Sequence, residues 1–320
     1  MLRSILLRLI MGDVPLVVCV GEALVDFLPE QPGLLRNSER FTRCMGGAPA
    51  NTAVGLARCG VKSALQTRVG DDELGHYLVE TMNAEGVDTS AVGFDSKRRT
   101  GITFVQVNDS GARSFLFYRN DAAEKSFGPE HVDEAMIQQA AVLHLCTNLM
   151  ETTCGRDATM KAVDAARAGN TLVSVDPNLR LHLWPSEDAC RQAGLALVEQ
   201  ANVVKLSDDE ATLLTGISDS QEAARAVHRM GPGLVVVTLG EQGCVWSGAP
   251  GEGECMAPAV ECVDSTGAGD AFVAGMLSVL QSAASLPPGA WPRSLVEQAV
   301  HRGCQVGSRV VTAYGATTAL

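Results

Sequence analysis

The sequence predicts an α/β protein: one large, mostly parallel sheet flanked by helices on both faces, with a small β lid set off from it. Three observations carry this. Short apolar, β-branched runs alternate with segments of helical period along most of the 320 residues, the rhythm of parallel-sheet proteins. One stretch, Thr100–Arg119, breaks that rhythm with two strand-like runs and no helix between them. No internal repeat or low-complexity linker divides the chain, so a single large domain is expected.

The elements follow in order. Met1–Ile10 mixes Arg3 and Arg8 with apolar residues but lacks a full apolar core and a small-residue cleavage site, and Asp13 and Pro15 follow directly. Residues 1–14 are read as a frayed extension, with Met11 a second candidate start, and 15–320 as the domain. Leu16–Leu28 is apolar and β-branched, interrupted by Gly21-Glu22, and reads as a buried first strand. Ala48–Arg58 has helical spacing and stops at Gly60, a residue type that ends helices. A strand at Ala64–Val69 and a helix at Glu73–Ala84, ended by Gly86, come next. The hairpin over Thr100–Arg119 turns at Asn108-Asp109-Ser110-Gly111 and should stand off the main sheet. As a lid over a pocket or as an ordinary edge hairpin it fits equally. Beyond Pro129, strands are expected at Ala141–Cys146, Thr171–Asp176, Asn202–Leu206 and Leu234–Thr238. Helices are expected around Arg156–Ala168, Glu187–Gln200, Gln221–Met230, Ala268–Leu280 and Ser294–Val311. Cys244–Trp246 and Glu254–Met256 suggest two closing antiparallel strands.

Composition narrows the function. Hydrophobic residues make up 46% and charged residues 19%, which permits a sizeable core and excludes disorder. Aromatics are 4% while glycines number 32, pointing to tight turns and backbone-lined sites. Lys plus Arg (25) against Asp plus Glu (37) leaves a net charge of −12. A nucleic-acid partner, which needs a basic stripe, is not expected, although a local group of cations still suits a small anionic ligand. No run approaches the ~18 apolar residues of a membrane span, so no membrane partner is expected either. The ten cysteines include no two within four positions of each other, so zinc-ribbon and C-x-x-C spacings are absent. Scattered reduced thiols fit the cytoplasm.

The sharpest stretch is Asp264-Ser265-Thr266-Gly267-Ala268-Gly269-Asp270, which opens an apolar helix. A glycine-rich turn entering a helix presents unpaired N–H groups at the positive end of the dipole, an anion site suited to phosphate. Asp270 would set a carboxylate beside that phosphate, sensible if it takes a proton from an attacking hydroxyl. An acidic residue capping an ordinary helix start is the other reading. Walker and Gly-x-Gly-x-x-Gly sequences are both absent, so a P-loop and a Rossmann dinucleotide turn lose support. A second constellation joins Gly21 and Asp26 to Gly46-Gly47-Ala48-Pro49-Ala50-Asn51. Its paired glycines admit close approach, and Asp26 and Asn51 offer the directional hydrogen bonds a polyol needs. Singly, each is equally a turn or cap residue.

Together, Gly46-Gly47-x-x-x-Asn51 and Asp264–Asp270 resemble the two signatures of the ribokinase-like (PfkB-type) carbohydrate kinases, and the resemblance spans about Val17–Gly315. It implies a ribokinase-like fold, with a lid contributed by about 30–42 and 93–120, and ATP-dependent phosphorylation of a primary hydroxyl on a sugar or nucleoside. By the resemblance Asp270 is the base, amides around Gly267, Ala268 and Gly269 form an anion hole, and Mg2+ bridges phosphate oxygens. The resemblance also sets the sugar beside Asp26, Gly46, Gly47, Asn51, Phe104, Arg119 and Arg180. ATP is set beside Lys205, Thr238, Gly240, Gly243, Thr266, Gly267 and Gly269. Where the family commonly has Asn-x-x-Glu linked to magnesium and phosphate, this chain has Ser207-Asp-Asp-Glu210. Only Glu210 carries over, as an indirect metal contact, and an acidic helix start is the alternative. A monovalent cation such as K+ near Asp264 and Thr266, and a homodimer, are compatible with the family.

Within the family, the chain is most similar to fructokinases, through Gly21-Glu-Ala-Leu-Val-Asp26-Phe, Phe117-Tyr-Arg119-Asn, and Asp176-Pro-Asn178-Leu-Arg180 followed by Leu183-Trp184. D-Fructose converted to fructose 6-phosphate is the expected reaction. The 2-keto-3-deoxygluconate kinases share arginines matching Arg119 and Arg180, where a guanidinium can face an acid, so that activity is an alternative. Another sugar or nucleoside kinase, and a non-catalytic sugar-binding protein, are further alternatives; the intact Gly-Ala-Gly-Asp270 speaks against the last.

Overall fold

The computed structural model describes residues 15–31, 33–107 and 113–320. The extension expected at 1–14 and the hairpin turn Asn108–Gly111 lie outside the described residues.

The first half of the chain gives strands β1 (Leu16–Val20), β2 (Leu24–Pro29) and β3 (Phe41–Gly46), helix α1 (Ala48–Arg58), β4 (Lys62–Gly70), α2 (Glu73–Ala84), β5 (Val87–Asp88), β6 (Val92–Asp95), β7 (Ile102–Val107) and β8 (Arg113–Tyr118). Then come α3 (Glu134–Gln139), β9 (Val142–Leu145), α4 (Thr153–Gly169), β10 (Leu172–Val175), α5 (Glu187–Val198), β11 (Val203–Ser207), α6 (Asp208–Thr215) and α7 (Ser220–His228). The chain closes with β12 (Leu234–Thr238), β13 (Cys244–Gly248), β14 (Gly251–Cys255), α8 (Ala268–Leu280) and α9 (Arg293–Val310).

The main sheet runs β14-β13-β12-β11-β10-β9-β1-β4-β5, with β6 also paired to β4. It is parallel except at β13 and β14, whose tight turn makes them antiparallel. Alternation along the buried strands divides the core. Val17 and Cys19 face α1, α2, α8 and α9, while Val18 and Val20 face α3 to α7. A second, four-stranded sheet has the order β3-β2-β7-β8.

The run read as one strand over Leu16–Leu28 is two. β1 enters the main sheet and β2 the second, because the chain turns at Gly21-Glu22. Residues 93–95 belong to β6 on β4, and the second sheet draws instead on 24–29 and 41–46 as well as the hairpin. The segment expected to contribute at 30–42 is mostly the connection between β2 and β3. Helix α3 and strands β3, β5 and β6 had no sequence expectation. α3 has only six residues and β5 only two, too few to establish a period.

Candidate active site

Open parallel sheets present binding sites at the carboxyl ends of their strands, where loops diverge. Here the ends of β1, β9, β10 and β11, the start of α8 and the inner face of the second sheet enclose a cleft of about 470 Å³. Its floor is the turn into α8. Gly267 precedes the first helical residue at φ 77, a left-handed conformation that suits glycine. Asp264 braces the turn, accepting from Thr266 N–H and Gly315 N–H, both at 2.7 Å. The Ala268 N–H is taken by the Ser265 carbonyl at 3.2 Å. Those of Gly267 and Gly269, the other two amides expected to bind an anion, have no acceptor among the described residues.

Asp270, in the first turn of α8, is 7% exposed and accepts from Asn51 Nδ2 at 2.8 Å. Burial raises its carboxyl from an ordinary 3.8 to about 7, with the Asp176 charge adding to the rise and the Asn51 hydrogen bond, Lys205 and Arg180 opposing it. Beneath the turn, Lys205 Nζ donates to Asp176 Oδ2 at 3.0 Å. Burial pulls the ammonium down, but Asp176 and then Glu210 outweigh it and hold it above its usual range. A Cβ on Gly269 would lie 2.8 Å from Lys205 Nζ, so the ammonium sits directly under the amides that could receive phosphate.

At the opposite end, Asn148 Nδ2 donates to Glu22 Oε1 at 2.8 Å. Arg119, 3% exposed, donates to Glu124 Oε1 at 2.9 Å, and Glu151 lies 3.9 Å away. Burial would lower this guanidinium, but Glu124, Glu22 and Glu151 outweigh it and raise it. Five residues lining the cleft each keep one buried polar atom without a hydrogen-bond partner: Glu22 Oε2, Asn51 Oδ1, Thr103 Oγ1, Arg119 Nη2 and Asn148 Oδ1. Such atoms normally find partners. Their convergence on one cavity marks a polar binding site.

Of the residues expected at the site, Asp26, Gly47, Asn51, Arg119, Arg180, Lys205, Glu210, Thr266, Gly267, Ala268, Gly269 and Asp270 line the cleft. Phe104 does not. Neighbouring side chains on a strand point to opposite faces, so Thr103 faces the cleft. Phe104 packs outside, 5.3 Å from the rings of Phe27 and Phe41. Gly46 lies behind the lining, where its missing Cβ would sit 2.3 Å from Asp26 Oδ2. Thr238, Gly240 and Gly243 also stand outside the lining, on the sheet edge beyond Ser207, the β11 partner of Thr238. Glu210 spends both oxygens on backbone amides, Leu179 N–H at 2.7 Å and Ser207 N–H at 2.8 Å. With Ser207 Oγ accepting from Glu210 N–H it forms a capping box, so the helix-start reading of Asp208–Glu210 describes this structure. Among the described residues, no group of three or more His, Cys, Asp or Glu is arranged to hold a metal.

Sequence reasoning missed Glu22, Thr103, Asn148 and the facing pair Phe115 and Phe117 as cleft residues. Glu22 and Asn148 were legible as polar residues just past the apolar runs of β1 and β9, where parallel sheets place ligand contacts. The others required the register of β7 and β8.

Residues 14–320 match the model of the pfkB family carbohydrate kinases. "Fructokinase-2" of Zea mays is 40% identical over 265 residues, covering 82% of this chain and 79% of its own length. "Fructokinase-1" of Oryza sativa subsp. japonica is 37% identical over 313 residues, covering 97% and 95%. The crystal structure of a fructokinase from Vibrio cholerae O395, bound to fructose, ADP and calcium ion, superposes with a TM-score of 0.84 at 31% identity over 96% of each chain. No helix of the described residues is long and apolar enough to cross a membrane. With the family model spanning nearly the whole chain and a cleft built around the glycine turn and Asp270, the chain belongs to the pfkB family and is an ATP-dependent carbohydrate kinase.

Proposed function

We propose that the chain transfers the γ-phosphoryl group of ATP to the primary hydroxyl of D-fructose, giving fructose 6-phosphate. One observation favours this sugar over a keto-deoxy acid: Arg119 is already met by Glu124 at 2.9 Å, with Glu151 and Glu22 close by. A cation so paired has little charge left for a substrate carboxylate, and the carboxylates around it would repel one. The unpartnered donors and acceptors of Glu22, Asn51, Thr103, Arg119 and Asn148 suit a neutral polyol, each hydroxyl of which donates and accepts. Two relatives about 40% identical, named fructokinases, support the same reading.

Asp270 is the base. Elevated to about 7, it is a stronger proton acceptor than an ordinary carboxylate, about half ionised at neutral pH and increasingly ionised above it. Asn51 Nδ2 holds one of its oxygens, Oδ2, at 2.8 Å. As the hydroxyl attacks, Asp270 takes its proton. The Gly267 and Gly269 amides and the start of α8 then meet the charge on the transferred group, with Lys205 beneath them. Arg180, whose guanidinium bonds only the Leu179 carbonyl at 3.1 Å among the described residues, is the cation free to approach the phosphates. Mg2+ bound with ATP would supply charge neutralisation at the transferred phosphoryl group. The inner face of the second sheet, with Thr103, Phe115 and Phe117, is the lid that excludes water from the reacting hydroxyl.

The test is ADP formation with ATP, Mg2+ and each of fructose and 2-keto-3-deoxygluconate, compared as kcat/KM. Preference for fructose is expected. A preference for the acid that disappears in Arg119→Ala or Arg180→Ala overturns the assignment.

A further inference from the structure

One carboxylate in the cleft takes no part in the phosphoryl-transfer chemistry above. Glu22 follows β1 and is 2% exposed, yet it lines the cavity, and its Oε2 has no hydrogen-bond partner among the described residues. A buried carboxylate oxygen is costly in that state unless a donor reaches it. Its position is fixed from two sides. Asn148 Nδ2, from the loop beyond β9, donates to Oε1 at 2.8 Å. The start of α1 crosses so closely that a Cβ on Gly47 would fall 2.5 Å from the Glu22 carbonyl oxygen. The unpartnered oxygen thus sits on a rigid support, as a selective site requires.

The neighbouring cations are engaged elsewhere. Arg119 Nε donates to Glu124 Oε1 at 2.9 Å, and Lys125 Nζ meets Glu151 Oε1 at 3.1 Å. Asn148 Oδ1 is a second buried acceptor that no donor reaches among the described residues. Two such acceptors on one hydrogen-bonded pair call for O–H donors. They also stand apart from the phosphate-receiving turn. In sheet order, β9 and β1 lie two and three strands from β11, which carries Lys205 beneath Gly269.

We propose that Glu22 is a specificity-determining residue: its Oε2 accepts from a hydroxyl at the end of the sugar remote from the one phosphorylated, so that the enzyme takes free sugars and refuses those already carrying a phosphate there. The proposal rests on the fructose reading above, and deepens it by giving the sugar a direction. Fructose enters with C6 at Asp270 and its C1 hydroxyl toward Glu22. A phosphate on C1 is anionic and has no proton to share with a fixed carboxylate, so it is repelled. A sugar lacking the C1 hydroxyl leaves that buried carboxylate without a donor, which a site built around a hydroxyl penalises heavily.

The test measures ADP formation with fructose, 1-deoxyfructose and fructose 1-phosphate, on the native chain and on Glu22→Gln. The glutamine still accepts from Asn148 Nδ2 but sets an amide donor where Oε2 stood. In the native chain, kcat/KM should be at least ~100-fold lower for either analogue than for fructose. In Glu22→Gln, fructose should lose at least ~10-fold, through KM with kcat nearly kept, because the contact is remote from the reacting oxygen. Fructose 1-phosphate should gain, and 1-deoxyfructose should stay within about threefold of its native value. A merely structural role for Glu22 lowers all three substrates alike, and that result overturns the proposal. So does a native chain that uses either analogue as well as fructose, a comparison that holds even if the variant fails to fold. A native chain that makes no ADP with fructose, or prefers 2-keto-3-deoxygluconate, overturns the fructose reading and this inference with it. Preference for fructose over that acid, with none over fructose 1-phosphate, refutes the role of Glu22 alone.

Discussion

Replacing Asp270 by Asn tests the base and the cost of keeping it. The variant side chain retains the shape and still accepts from Asn51 Nδ2, now 2.8 Å away, but it cannot take a proton. Burial lifts the native carboxyl from 3.8 to about 7, and at about 1.36 kcal/mol per pH unit that gap is worth ~4 kcal/mol. The folded state holds this proton more tightly than the unfolded chain. Its contribution to stability is therefore complete below the unfolded value, is lost as pH rises from 3.8 toward 7, and is gone above about 7. Asn suffers no such loss. Asp270→Asn should accordingly be more stable than the native chain by up to ~4 kcal/mol near pH 8, the gain shrinking toward zero near pH 4. Turnover with fructose should fall at least ~100-fold. Urea midpoints at the two pH values read the first effect and coupled ADP formation reads the second. Equal midpoints near pH 8 would refute the burial argument, and near-normal turnover would remove Asp270 from the role of base.

In the native enzyme, kcat/KM for fructose should drop about tenfold per pH unit below about 7, where Asp270 becomes protonated; a flat profile down to pH ~5 contradicts this. Asn51→Ala removes a hydrogen bond to that carboxylate worth ~1.5–3 kcal/mol, so the acid limb should move upward by ~1–2 pH units, and a downward move rejects the pairing. Gly267→Ala forces a side chain into φ 77 and sets its Cβ 2.6–2.8 Å from Ala316. A loss of more than ~2 kcal/mol in urea unfolding is expected, and an unchanged midpoint means the turn relaxes freely. Arg119→Ala strands the buried Glu124 and should cost ~3–5 kcal/mol of stability, which Glu124→Gln in the same chain should largely restore; no restoration means the two side chains are not energetically paired.

The sequence carried the fold through its periods. α1, α2, α8 and β12 begin and end where apolar spacing and glycine stops place them, because long periodic segments average out local exceptions. It carried the cleft's floor through its glycines: the turn at Gly267–Gly269 is legible as a helix start without tertiary knowledge. What escaped was set by register and partnership. Phe104 and Thr103 are neighbours in sequence, and only the pairing of β7 with β2 decides which of them sees the cleft. Glu210 carries an acidic signal, yet its two oxygens are consumed by amides at Leu179 and Ser207. The latter is local; the former comes from a loop 31 residues away.

The break at Gly21-Glu22 joins these levels. A continuous strand there would have kept Leu24–Leu28 in the main sheet, and the cleft would have had no wall opposite α8. Glycine is required at the break because a Cβ would lie 2.2 Å from Pro49 Cγ, in the first turn of the helix that delivers Asn51. The same bend turns Glu22 to accept from Asn148 Nδ2 at 2.8 Å, past the end of β9. It then sends β2 out to carry Asp26 above the floor. One two-residue interruption thus couples the strand that anchors the core, the helix that holds Asp270 through Asn51, and the sheet that walls the cleft. A side chain at position 21 would therefore disturb proton abstraction and sugar contact together, although Gly21 touches neither.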